Sequence, residues 1–348
     1  MHLTGNCPQY IYNRTLMSTI QQQSSTSQLL MFPSLDFSRF HDPSQREEFC
    51  RQFVSILKEY GFLKLINHGI PFAQIDLAFA AARHFFQLPL EQKLKAPHPP
   101  TAHPHRGFSP VGLENVGAVS GYGSATKSPY LGDMKESYDI GSEYDPLYKN
   151  IWPPPGVDDG FQPTFTSFFE AGYRTELAIL RALSIGLGLP EQTLGQLHAD
   201  QTNELRITHY PAVARGDFVH STRIAAHTDF GTITLLFQDT VGGLQMEVPP
   251  HSGQFADIES GGPYECILNV GDCLQMWTAL HSACHRVHLP VRSSEAQIDE
   301  MVPERFSIAY FAKPDRAAIL RPLLEGNPEG KYPTANEFQH MRIAGTYG

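Results

Sequence analysis

The sequence predicts a mainly β protein with packed helices, its core an antiparallel sandwich or jelly roll. Two observations carry this. Apolar residues at helical spacing mark the first 200 positions, whereas from about 203 onward short runs appear, bounded by Gly, Pro, Asp or Asn. Helices first and strands later suit a helical layer laid on an antiparallel sheet. With 348 residues, 41% of them hydrophobic, the chain can bury a sizeable core.

The elements follow in order. Residues 1–30 are polar and rich in Gln and Ser, and they predict a disordered leader in which Met17 is an alternative start. Residues 43–60 predict a helix, with Phe49, Phe53 and Leu57 at i, i+4 and i+8 and Gly61 as its stop. "FLKLI" (62–66) is a short strand. Residues 71–88 predict a second helix, with Phe79, Arg83 and Phe86 on one side and Pro89 beyond its end. Residues 97–132 have no period and predict a loop, its Gly- and Ser-rich part at 115–132 either a plain surface loop or a lid. Lys127 in this loop and Lys135 just after it are read as solvated, with contact to an acidic substrate the alternative. Residues 162–188 predict a long helix ended by Gly186, Gly188 and Pro190.

Strands are then expected at "ELRITHY" (204–210), "TITLLFQD" (232–239), "ECILNV" (265–270), "CLQMWT" (273–278), "HRVHL" (285–289) and "RFSIAYF" (305–311). This gives one domain over 31–338. Residues 31–200 form its mostly helical part, residues 201–315 its jelly-roll core, and 339–348 a C-terminal tail.

Composition excludes several classes. The net charge is −10 with no basic block, so nucleic acid is not an expected partner. No apolar run has the length of a membrane span or the form of a signal peptide. Five cysteines (Cys7, Cys50, Cys266, Cys273, Cys284) without paired spacing fit reduced thiols and a cytoplasmic protein. A monomer or weak homo-oligomer is expected.

His227-Thr-Asp229 is the chemically informative motif. In a strand, residues i and i+2 point the same way, so one strand can offer an imidazole and a carboxylate to one metal. A distant His would complete the facial triad that holds non-heme Fe(II) and leaves positions open for O2. His281, His285 and His288 are all near enough in sequence to supply it. With 16 histidines and 36 acidic residues a chance His-x-Asp is expected, and His198-Ala-Asp200 is one, read as surface because no strand pattern follows it. Zinc in a structural site would want four closed ligands, usually paired cysteines, and no cysteine sits at ligand spacing. Arg305 and Ser307 share a strand face. They form a candidate carboxylate clamp, a planar fork of donors plus a hydroxyl, with Tyr210 a further donor.

These motifs sit within a longer likeness. "YGFLKLINHGI", "FFQLPLEQK", "RGFSPVGLE", "KESYDIG", "LRITHYP", "HTDFGTITLL", "GGLQ", "NVGDCLQMWT", "SACHRV" and "RFSIAYF" occur in order across roughly 32–320. The chain thereby resembles the isopenicillin N synthase-like branch of the Fe(II)/2-oxoglutarate-dependent dioxygenases. The resemblance implies a double-stranded β-helix (jelly roll) core and makes His227, Asp229 and His285 the iron ligands. It implies that Arg305 and Ser307 hold the distal carboxylate of 2-oxoglutarate, with Tyr210 assisting. Thr208 stands where many plant members have Asn. The implied cofactors are Fe(II), 2-oxoglutarate and O2, supported by ascorbate. The implied chemistry releases succinate and CO2 while a small molecule of secondary metabolism is hydroxylated, desaturated, cyclised or ring-expanded. Phe230, Leu244 and Phe311 are candidate substrate contacts. Three rival readings stand beside this: an oxidase using the triad without 2-oxoglutarate, a catalytically silent binding module, and a zinc or manganese hydrolase.

Overall fold

The computed structural model describes residues 29–30, 32–101, 104–114, 133–290, 299–324 and 330–343. The expected leader up to residue 28, the lid at 115–132 with Lys127, and residues 344–348 lie outside the described residues.

Fifteen strands are described. The first half of the chain supplies β1 (Leu29–Leu30), β2 (Ser34–Asp36), β3 (Phe62–Ile66), β4 (Gly107–Ser109) and β5 (Glu136–Gly141). The second half supplies β6 (Glu204–Tyr210), β7 (Val213–Ala214), β8 (Ile224–His227), β9 (Ile233–Gln238) and β10 (Leu244–Glu247). It continues with β11 (Phe255–Ile258), β12 (Cys266–Val270), β13 (His285–Val287), β14 (Met301–Val302) and β15 (Arg305–Ala312). An eight-stranded sheet runs β2-β3-β12-β9-β15-β6-β5-β4, a five-stranded sheet runs β1-β11-β10-β13-β8, and β14 and β7 form a ribbon. The helices are α1 (Arg46–Tyr60), α2 (Phe72–Gln87), α3 (Leu90–Lys93), α4 (Phe161–Gly186), α5 (Asp272–Thr278) and α6 (Ala335–Ile343). Among the described residues no helix is long and apolar enough to cross a membrane.

Strand alternation decides which face of the large sheet does what. In β15, Phe306, Ile308, Tyr310 and Ala312 join the main hydrophobic core, as do Leu205 and Ile207 of β6. That core also holds the buried stripes of α1, α2 and α4. The other row, Tyr210, Thr208, Arg206 and Glu204 of β6 with Arg305, Ser307, Ala309 and Phe311 of β15, lines a cavity between the two sheets. The apolar face is covered by helices, and the polar face becomes the inside of a pocket.

Two glycines set the helix–sheet fit. Gly61 ends α1 in the left-handed region (φ 69°), and its N–H bonds Leu57 O at 2.8 Å. Gly172 lets α4 lie directly on β15, since a Cβ there would stand 2.6 Å from the Tyr310 ring. That ring is fully buried, and its hydroxyl donates to Glu176 at 2.8 Å. It cannot give way. Gly172→Ala is therefore expected to lower stability by about 1–3 kcal/mol, the usual cost of overpacking a tight core. A denaturant titration with an unchanged midpoint would show that helix and sheet can part more easily than this geometry allows.

Several expectations need correction. "CLQMWT" is helix α5, not a strand: the buried residues Cys273, Leu274, Trp277 and Thr278 recur at 3.6-residue spacing. The stretch 97–132 contains a strand, β4, too short to show a period, and "KESYDIG" is β5, the partner of β6. Leu29–Leu30, placed in the leader, pair with β11. The tail drawn at 339–348 begins inside α6. Lys135 is not solvated. It is buried, with its ammonium 2.7 Å from Glu114.

Candidate active site

The register of β13 brings one of the three candidate histidines to the His227–Asp229 pair. His285 stands directly opposite His227 in the antiparallel β13–β8 pair. Its Nε2 lies 3.8 Å from Asp229 Oδ1, and His227 Nε2 lies 3.7 Å from the same oxygen. These gaps exceed hydrogen-bond length, so the three polar atoms face one another without bonding. One ligand atom from each residue falls within 4.8 Å of the other two. Neither His281 nor His288 takes part. His288 lies just past β13 and contacts Thr222 through Nδ1 at 3.2 Å.

Neighbouring groups fix the donors. His227 Nδ1–H donates to Ala225 O at 2.8 Å and His285 Nδ1–H to Ala283 O at 3.1 Å. Both rings therefore turn Nε2 toward the shared point. Burial, with His285 close by, pushes the His227 imidazole down to about 4, which keeps it neutral and able to coordinate. Asp229 Oδ2 accepts from Thr234 Oγ1 at 2.6 Å and from Asn269 Nδ2 at 2.7 Å, leaving Oδ1 for a metal. Burial alone would raise this carboxyl, but the facing imidazoles of His285 and His227, with those two bonds, hold it below its ordinary value. Helix α5 steadies the segment from behind. Asp272 N–H donates to Asp229 O at 2.8 Å and Cys273 N–H to Gly231 O at 3.0 Å. Two imidazole nitrogens and one carboxylate oxygen around a common point suit Fe(II) with coordination positions left open.

Further along the pocket, Arg305 is fully buried. Its guanidinium donates to Gln238 Oε1 at 2.5 Å and to Ser307 Oγ at 3.4 Å, and lies 4.7 Å from the Tyr210 ring centroid. Among the described residues it pairs with no carboxylate, and Arg305 Nε and Gln238 Nε2 have no partner. A buried cation without a counter-charge is costly, so this arrangement suits a ligand carboxylate. Arg223 stands on Tyr210 as well, at 5.7 Å, also fully buried and with Nε and Nη1 unpartnered. Burial and the charge of Arg305 push it down to about 10. Nothing in the local sequence around Arg223 marks it, because a lone Arg before a strand is an ordinary surface pattern.

The cavity measures about 1190 Å³, its open mouth included. Phe311 lies six residues beyond Arg305, about 20 Å along the strand at ~3.3 Å per residue, so the clamp and the mouth are opposite ends. Phe230 and Phe311 line it, and so does Leu244, which belongs to the smaller core cluster that contains Tyr210. Thr208 lines it beside Ser307, its cross-strand partner. The mouth end carries charges that sequence patterns did not single out. Arg206 is held by Asp139 (Nε–Oδ1 2.7 Å) and Glu114 (Nη1–Oε2 3.0 Å), and Lys313 pairs with Glu204. His105 and Gln339 complete this end.

The decoy pair does something else. His198, expected at the surface, is fully buried. Its Nδ1–H donates to Leu194 O at 2.8 Å, and its Nε2 accepts from Thr232 Oγ1 at 2.8 Å. Asp200 is exposed and joins no metal-binding group.

Comparison with known proteins agrees with this geometry. Residues 32–155 match the family model "non-haem dioxygenase in morphine synthesis N-terminal", and residues 201–314 match the "2OG-Fe(II) oxygenase superfamily" model. The chain is 41% identical to the 2-oxoglutarate-dependent dioxygenase frbA of Dothideomycetidae sp. (strain 11243), over 91% of this chain and 98% of that protein. It is also 41% identical to the proline hydroxylase buaE of Petromyces alliaceus, over 90% and 98%. A full-length Neurospora crassa protein, crystallised in complex with alpha-KG and thymine, superposes with a TM-score of 0.78 at 29% identity, covering 90% of this chain and 97% of that one.

Proposed function

This chain belongs to the 2OG-Fe(II) oxygenase superfamily, and we propose that within it the enzyme hydroxylates a free amino acid, with L-proline the first candidate. As a member it is an Fe(II)/2-oxoglutarate-dependent dioxygenase that oxidises a small-molecule substrate of secondary metabolism and releases succinate and CO2. The rival oxidase and silent-module readings are not favoured.

The roles follow from the donors described above. His227, Asp229 and His285 hold the iron. Arg305, Ser307 and Tyr210 hold the distal carboxylate of 2-oxoglutarate, and Arg223 stands on the Tyr210 ring as well. Iron bound there supplies the activation of O2 that is coupled to decarboxylation of 2-oxoglutarate. The chain's own part is placement. Thr234 and Asn269 aim one carboxylate oxygen at the metal, the Nδ1–H bonds lock both imidazoles, and the apolar walls (Phe62, Leu236, Leu244, Val287) keep water from the reacting atoms. One O2 oxygen enters succinate and the other enters the hydroxylated substrate.

The observation that carries the substrate assignment is the charged mouth end, where Arg206 with Glu114 and Asp139, and Lys313 with Glu204, give a substrate both signs of charge. An α-amino acid carries both signs too and can bond to these groups, whereas an apolar substrate offers them no partner. The relative named as a proline hydroxylase supports the same choice. Oligomeric state, absence of nucleic-acid binding and cytoplasmic residence belong to this proposal as well: a monomer or weak oligomer, with its described cysteines as free thiols.

The test is a panel of the amino acids plus thymine, with Fe(II), ascorbate and 2-oxoglutarate. The readout is succinate and a product heavier by one oxygen atom. Succinate formation stimulated by proline, with hydroxyproline appearing in step, is the expected result. Stimulation by thymine alone would move the assignment to nucleobases.

A further inference from the structure

The C-terminal helix reaches the pocket. Gln339 of α6 lines the main cavity together with Phe230, Phe311 and Lys313, and also lines a smaller cavity next to it. Its carboxamide offers two donors and an acceptor. Among the described residues it has no hydrogen-bond partner. One turn further on, Arg342 fastens the helix to the metal-binding segment. Its Nη2 donates to Thr228 Oγ1 at 3.0 Å and lies 3.3 Å from Asp272 Oδ2, and its guanidinium sits 4.8 Å from the Phe230 ring centroid. Thr228 and Phe230 flank Asp229. Residues three apart share a helix face, so the anchor at 342 sets where 339 stands over the pocket.

We infer that Gln339 is a substrate-contacting residue that hydrogen-bonds the polar end of the substrate, and that Arg342 is a positioning residue acting through it. An amide on a residue that lines a cavity, without a protein partner, can exchange water for a ligand group that bonds to it. The identity of the polar end rests on the amino-acid reading above. The contact itself rests only on the placement of α6.

The experiment uses the full chain loaded with Fe(II), and L-proline as probe. Gln339→Leu keeps the bulk and removes the amide. It is expected to raise the KM for the amino acid about tenfold, the scale of one lost hydrogen bond to a charged group. The KM for 2-oxoglutarate should not move, and product formed per succinate should fall, because a loosely held substrate is missed more often. Gln339→Asn shortens the reach and should recover little. Arg342→Ala should show the same shift in KM and coupling together with faster amide exchange over 335–343, whereas Gln339→Leu should leave exchange unchanged. A purely structural helix would instead lose melting temperature without changing coupling. Unchanged KM and coupling in Gln339→Leu overturns the inference. If the wild type leaves proline untouched, the substrate assignment fails on its own, and the same variants are read on the panel compound that the wild type does oxidise.

Discussion

Alanine at His227, Asp229 or His285 is expected to abolish product formation and release the iron. The three side chains converge from β8, the turn after it and β13, and no fourth histidine or carboxylate among the described residues lies close enough to replace one. Loss of an outer-shell partner typically costs about 10–100-fold in metal affinity or activity. Thr234→Val and Asn269→Ala, which strip the bonds from Asp229 Oδ2, should fall in that range and so mark the scale against which ligand loss is judged. His281→Ala, His288→Ala and Asp200→Ala should keep full iron. Metal content after gel filtration, measured beside turnover, separates these outcomes. Retention of iron and activity by His285→Ala would break the triad as drawn.

How much of this was legible in the chain depends on how far apart the contributing residues lie. Arg305 and Ser307 are two apart on β15, so period-2 geometry alone puts them on one face, whereas Asp229 lies just past the end of β8 and reaches His227 from the turn rather than from the strand. The third ligand needed more. Spacing left three histidines open, and only the β13–β8 register puts His285 opposite His227. The mouth end was invisible for a different reason. Glu204 and Arg206 alternate with Leu205 and Ile207, which reads as a solvent-facing row beside a buried one. The second sheet closes over that row and turns it into a pocket wall, and no local pattern reports that closure. Helix α5 reads as a strand in the sequence because six residues, Cys273 to Thr278, are too few to separate a period of 3.6 from one of 2. Helix α6 is short and weakly patterned, so its Gln339 could be placed only by the fold.

Arg305→Ala is expected to raise the apparent constant for 2-oxoglutarate about 30-fold or more while iron stays bound. The reasoning starts from the isolation of this guanidinium. It is fully buried, its described partners are the neutral Gln238 and Ser307 and the Tyr210 ring, and a second buried cation, Arg223, lies 5.7 Å from the centroid of that ring. The missing counter-charge is what a dicarboxylate brings. Truncating one side of such a desolvated pair typically costs about 2–5 kcal/mol, because the partner charge is left unpaired. At ~1.4 kcal/mol per tenfold the lower end of that range is already about 30-fold. Arg305→Lys should recover only part, since an ammonium is a point charge and cannot reproduce a planar fork stacked on Tyr210. Arg305→Ala should leave metal content unchanged, as none of the three iron donors bonds to Arg305. The decisive comparison is turnover with and without added 2-oxoglutarate on protein dialysed free of it. Product made with O2 and iron alone, with no succinate, would mean that Arg305 holds the substrate's own carboxylate instead.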